Sequence, residues 1–270
     1  MMTISPQSVK ELREKTGAGM MDCKTALVNC DGNFEHAIVW LREKGIATAK
    51  KKESRSANQG RVFTAVRNNQ AIMLALNCET DFVATNTDFI SFGEELVACL
   101  MDLSDVPTLD AIGAVSFKGQ TVSDALSQLI LKVGEKVSIA YLECARTGTQ
   151  FVDYVHSNGK IGVILGFENS FDEALSKGFA MHVAAMDPQY ITKEEVSESF
   201  IAKEREFLKK QALDEGKPEA IAEKMVEGRL NKSLSEICFV EQPFVKDPSQ
   251  KIKTLLSGNK IVSLKRYQLG

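Results

Sequence analysis

Long hydrophobic runs are missing from this 270-residue chain, and no segment approaches the twenty or so apolar residues a membrane helix needs. Charge of one sign is missing too: 33 basic against 36 acidic residues leave a net charge of −3, which argues against general binding to nucleic acid or membrane surfaces. Histidine is scarce, with only His36, His156 and His182, and none of the six cysteines forms a CxxC pair. Metal-ligand spacing is therefore absent, and the cysteines read as small apolar residues in a reducing compartment. The start, MMTISPQSVKELREK, has no apolar signal core, so secretion is not expected and a cytoplasmic location is. Glycine clusters once, as TGAG at 16–19, without the Lys-Ser/Thr of a phosphate cradle; no G-x-S-x-G elbow or H-E-x-x-H occurs. No cofactor or metal site is expected, and the sequence offers no positive case for an enzyme.

What is present is helical and strand periodicity in a definite order. Ser5-Pro6 starts a helix, with a capping hydroxyl and a preset backbone angle, and the TGAG glycines end it. Residues 20–30 form a second helix with Cys23, Ala26, Leu27 and Cys30 on one face. Residues 34–44 form a third, with Phe34, Ala37, Ile38 and Leu41 inward and Gly45 closing it. Residues 1–47 are thus expected to be a small three-helix domain, too thin in core for an enzyme. The polar stretch TAKKKESRSANQG at 48–60 reads as a linker, its lysines as solvated charges rather than an RNA contact.

An internal repeat follows. RVFTAV, the turn RNNQ and AIMLAL make a β-hairpin; two helices and the strand KVSIAYLECA complete a β-β-α-α-β unit at 61–146. VDYVH, SNGK and IGVILGF begin the unit again, FDEALSKGFAMHVAAM is its first helix, and DPSQKIKTLLSG, a helix, and KIVSLKRYQL, a strand, finish it. This second half spans 147–189 and 237–270. The inserted 190–236 reads as a helical hairpin: one helix over 193–215 with Val196, Phe200, Phe207 and Leu208, a break at Gly216-Lys217-Pro218, and another over 219–232 with Ile221, Met225 and Leu230. The fold class is α+β, with small antiparallel sheets each carrying helices on one face.

Two triplets raise the functional question. Thr80-Asp81-Phe82 follows the apolar strand AIMLAL, and Thr87-Asp88-Phe89 comes soon after. The second reads as a helix start, with Thr87 or Asp88 as cap. The first lies on a strand-end loop from which an acid and an aromatic can leave the domain. Pattern alone leaves Phe82 open between partner contact and packing, and favours packing for the adjacent Met20 and Met21, only one of which a helix face can bury. Asp81 lacks companion metal ligands. Cys78 as a nucleophile is far weaker than Cys78 as a buried strand-end residue.

The stretches VKELREKTGAGMMDCKTAL at 9–27 and LNCETDFVATNTDF at 76–89 resemble the two signatures of translation elongation factor Ts. YVHSNGKIGV, MHVAAMDP, GKPEAIAEKMVEGRLNK and EQPFVKDPS continue the likeness in family order along nearly the whole chain. The resemblance implies a ubiquitin-associated-like three-helix domain, a two-part core and a projecting helical hairpin. It implies an exchange factor that binds elongation factor Tu carrying GDP and releases the nucleotide without binding it. The family's contacts carry over to Asp81 and Phe82 with the flanking Thr80 and Val83 of the same signature, near the partner's Mg²⁺ region. They also carry over to Arg13, Met20 and Met21 on the GTPase domain, to Val133 and Gly134 at a helix end, and to His156 on the second hairpin, with a further domain of the partner engaged. Homodimerisation through the second core half, within a two-plus-two complex, occurs in some members and stays open. An adaptor that binds without exchange is the competing reading.

Overall fold

The computed structural model describes residues 4–67, 69–216 and 218–270, without the side chains of 220–222. Three helices come first: α1 (Pro6–Thr16), α2 (Met20–Asn29) and α3 (Phe34–Lys52). Ser5 caps α1 by accepting the Ser8 N–H at 3.0 Å, and Gly17, at φ +67°, terminates it in the left-handed conformation that a glycine enters without strain. Val9, Leu12, Cys23, Ala26, Leu27, Ala37 and Leu41 form the shared core. Ile38, expected inward, is exposed. The expected stop at Gly45 does not occur, and α3 continues through Lys52, so five residues assigned to the linker are helical. Gly45 is buried where α3 crosses α6; a Cβ there would stand 3.1 Å from the Ser127 carbonyl oxygen. The glycine permits helix–helix approach instead of ending the helix.

Strands β1 (Gln59–Arg67), β2 (Gln70–Cys78) and β5 (Val137–Ala145) make an antiparallel sheet in the order β1-β2-β5. Between β2 and β5 lie the one-turn α4 (Asp81–Ala84), α5 (Thr87–Met101), the small hairpin β3 (Ser116–Phe117) and β4 (Gln120–Thr121), and α6 (Val122–Val133). The second sheet repeats the topology: β6 (Gln150–Val155), β7 (Ile161–Phe167) and β10 (Ile261–Gln268) stand in the order β10-β7-β6. Helix α7 (Glu173–Met186) follows β7. The chain then passes through α8 (Glu198–Asp214), α9 (Glu219–Ile237), β8 (Pro243–Phe244), β9 (Asp247–Lys251) and α10 (Ile252–Leu256). The architecture is α+β, as expected.

Each sheet is covered on both faces. Ile72, Leu74 and Leu76 face Phe89, Phe92 and Leu96 of α5 and Leu129 of α6. On the opposite face, Val62, Met73 and Ala75 pack with Phe151 and Ile164 of the second sheet. This double burial explains why β2 reads as an unbroken apolar run. A third core joins β7 to α7 through Val163, Leu165, Phe167, Phe179 and Val183. His182 of α7 is fully buried: its Nδ1 accepts the Val245 N–H at 3.1 Å, and Nε2 lies 2.8 Å from Gln242 Oε1.

Three expected elements shift. The helix expected from residue 193 begins at Glu198, because Ser197 caps it by accepting the Phe200 N–H at 3.3 Å. The hairpin core is Val196, Leu208, Val226, Leu230 and Leu234, with the expected Val196, Leu208 and Leu230 buried; Phe207 points to solvent, and Met225 is half-buried where its neighbour Val226 is buried. Ile221, expected on it, is outside the described side chains, as are residue 68 of the first hairpin turn and residue 217 of the helix break. The expected helix over 247–258 is helical only over Ile252–Leu256. The Asp247 carboxylate gathers Ser249 and Gln250, and the segment pairs with β8 as a strand.

Candidate functional site: a braced aromatic turn

The two Thr-Asp-Phe triplets have opposite fates. In the second, Asn86 is the cap, accepting the Asp88 N–H at 2.8 Å, in place of Thr87 or Asp88; Phe89 is fully buried and Asp88 pairs with Lys132 at 2.6 Å. In the first, Thr80 caps α4, which turns once over Asp81–Ala84. One helical turn sends successive residues around the axis, so Val83 and Ala84 enter the core while Asp81 and Phe82 face out. Phe82 is 82% exposed, the most exposed of the large apolar side chains among the described residues. The expected loop is therefore a short helix, and the Val83 side chain is spent on the core.

Thr80 is held from across the fold. The Glu135 carboxylate accepts the Thr80 hydroxyl at 2.7 Å and the Thr80 N–H at 3.0 Å. Glu135 follows Gly134, which ends α6 at φ +76° with its N–H on the Ile130 carbonyl. Val133, half-buried, and Gly134, exposed, thus stand beside the turn that carries Asp81 and Phe82. Next to Thr80, the Glu79 carboxylate accepts the Lys136 N–H at 2.7 Å and meets Arg55 at 3.2 Å. Those contacts, the Lys136 amide foremost, hold the Glu79 carboxyl below the usual carboxylate range. Glu79, Glu135 and Lys136 were not singled out from sequence; the only signal was charge in GEK, directly after a helix-ending glycine.

Arg13, Met20 and Met21 lie near the turn between α1 and α2. Both methionines are exposed, at 46% and 69%, although pattern favoured packing; α2 fills its inner face with Cys23, Ala26 and Leu27 instead. Gly17 of that turn sits against the Lys132 side chain, near the C-terminal end of α6. His156 stands exposed at the tip of the β6–β7 hairpin, its Nδ1 3.0 Å from the Tyr154 hydroxyl. The tip is fastened to β1 by the Val62 N–H, which donates to the Gly159 carbonyl at 2.8 Å.

Chemistry is disfavoured at the nearby thiol. Cys78 is buried with its Sγ 3.1 Å from the Thr80 carbonyl, and burial, aided by the Glu135 charge, pushes its pKa up to about 12. It is a protonated thiol at neutral pH. Among the described residues, no three His, Cys, Asp or Glu side chains gather to hold a metal ion, and no helix is long and apolar enough to cross a membrane.

Phe82 on its braced turn and Met20 and Met21 at the start of α2 are exposed apolar side chains of the types that suit contact with another macromolecule. The family model described as Elongation factor TS matches residues 79–270, and the chain belongs to that family. Its members are nucleotide-exchange factors for elongation factor Tu, acting on that GTPase in translation elongation without being catalysts of bond chemistry themselves. The match begins at Glu79 and takes in the Phe82 turn, α6 and His156; Arg13, Met20 and Met21 precede it.

Proposed function

We propose that this chain binds elongation factor Tu carrying GDP and speeds GDP release by disturbing the Mg²⁺ and phosphate site of the GTPase domain. The observation that carries this reading is Phe82: an 82% exposed aromatic ring on a turn whose Thr80 is hydrogen-bonded to Glu135 and whose Val83 and Ala84 are buried. A ring fixed in this way can be driven between two helices of the partner, and packed helices respond by moving to a discrete alternative arrangement. Asp81, beside it, brings negative charge toward the metal region. Thr80 and Val83 act from behind, as cap and anchor. Arg13, Met20 and Met21 dock the three-helix segment on the same GTPase domain, with Val133 and Gly134 between the two contacts, while His156 reaches a further domain.

The thermodynamics are those of linkage. If the factor weakens GDP binding, GDP weakens the factor by the same ratio. The factor therefore needs no nucleotide site or cofactor of its own, and works in the cytoplasm where translation proceeds. We assign 1–47 as the docking domain, 48–60 as its connection, 61–146 and 147–189 with 237–270 as the core halves, and 190–236 as a projecting hairpin. Homodimerisation through the second core half, giving a two-plus-two complex, is compatible with this arrangement.

The test is release of fluorescent GDP from elongation factor Tu, with and without the full chain. Acceleration supports exchange. Binding without acceleration refutes it in favour of an adaptor.

A further inference from the structure

Three segments far apart in sequence meet behind the Phe82 turn. Glu135 takes both the hydroxyl and the amide of Thr80, and the Thr80 oxygen in turn accepts the Val83 N–H at 3.4 Å. The Lys136 amide donates to Glu79, while its Nζ donates to the carbonyls of Glu53 and Arg55 at 2.7 and 2.8 Å. Lys52, the last residue of α3, donates through its Nζ to the Gly134 carbonyl. The loop 134–136 is thus bonded on one side to the residues that start α4, and on the other to the chain leaving the three-helix segment.

Helix α4 requires such help. Four residues lie far below the length at which a helix holds itself, and its only inward side chains are Val83 and Ala84. The direction of Phe82 therefore depends on the backbone of Thr80, which is extended at φ −125°, ψ 158° and fixed by the two oxygens of Glu135.

We propose that the loop 134–136 is a positioning clasp for exchange, in which Glu135 aims Phe82 and Lys136 sets the three-helix segment in register with it. This rests on the exchange reading above and adds two positioning residues to it. Neither need touch the reacting nucleotide. Glu135 governs how well the ring disturbs the partner once bound, and so the maximal rate of exchange. Lys136 governs whether both contacts reach the GTPase domain together, and so the concentration at which exchange half-saturates. Linking two contacts rigidly raises the effective concentration of the second once the first has formed.

The experiment measures fluorescent-GDP release from elongation factor Tu over a range of concentrations of the full chain. Glu135→Ala should lower the maximal rate by about 10- to 100-fold, the upper figure being what a misplacement of an ångström can cost. The same change added to Phe82→Ala should cost nothing more, since there is no ring left to aim. Glu135→Gln, which keeps one acceptor, should fall between, and it replaces Glu135→Ala under the same criteria if the latter does not fold. Thr80→Val, which removes the hydroxyl, should follow Glu135→Ala. Lys136→Met should raise the half-saturating concentration several-fold and leave the maximal rate intact. An unaltered rate in Glu135→Ala beside a slow Phe82→Ala overturns the clasp and leaves the exchange reading standing, as does an equal loss in both backgrounds. A Phe82→Ala chain as fast as the unaltered one refutes the wedge itself, and with it any part for the clasp.

Discussion

Phe82 and Phe89 allow stability and exchange to be separated in one matched pair. Both follow Thr-Asp, seven positions apart, yet one is 82% exposed and the other fully buried. Phe82→Ala removes almost no intramolecular contact, so it should change stability by no more than about 0.5 kcal/mol. An aromatic ring seated in a partner buries roughly 150–250 Å². Anchors of this kind lose about 2–4 kcal/mol on truncation, equivalent to a fall of about 30- to 1000-fold in the second-order rate of exchange. Phe89→Ala should do the reverse. It opens a cavity between α5 and β1, where Phe89 meets Phe63 at a centroid distance of 6.4 Å. The expected cost is about 3–5 kcal/mol of stability, with exchange per folded molecule preserved. Thermal melting and fluorescent-GDP release, run on both variants, test the pair. Normal exchange by Phe82→Ala, or a drop of several kcal/mol in its stability, would refute the assignment of this ring to the partner.

Other outcomes follow from the packing and the buried titratable groups. Gly93→Ala should destabilise the fold by about 1–3 kcal/mol in a melting experiment. Its new Cβ would lie 2.4 Å from the ring of Phe63, which is itself buried. Burial holds the His182 imidazole below its ordinary value of 6.5, so the unfolded chain takes up the proton first. The neutral ring's contribution should be complete above about pH 6.5 and be lost as pH falls from there through the lowered folded value. His182→Gln should flatten the melting profile across that window; an unchanged slope would contradict the assignment. Cys78 should resist alkylation at neutral pH in the folded chain and react once it is unfolded, and modification of the more accessible thiols should leave exchange intact. Loss of exchange on labelling would reopen thiol chemistry.

The β-β-α-α-β repeat was legible because strand and helix periods differ and because Ser5, Gly17 and Gly134 mark helix ends by local backbone preference. The exposed status of Phe82 was not legible. Thr80-Asp81-Phe82 and Thr87-Asp88-Phe89 are the same triplet, and only the register of each short helix against the sheet decides which ring turns inward. Gly45 misled for a related reason, since a glycine that ends a helix and one that admits a neighbouring helix look alike until α6 is in place. The same holds for Phe207 and Leu208, adjacent apolar residues of which the partner helix α9 selects the second.

The amino-acid sequence by itself therefore determined the order of elements, the Ser5 cap and the helix ends at Gly17 and Gly134, the α+β class and, through its ordered signatures, the family. Those properties rest on interactions within a few residues. Tertiary structure decided the packing of sheet against sheet, the exposure of Phe82 with Met20 and Met21, and the meeting of Glu135 with Thr80 across 55 positions. Such contacts depend on which faces bury together once the chain has closed, and no local preference encodes that choice.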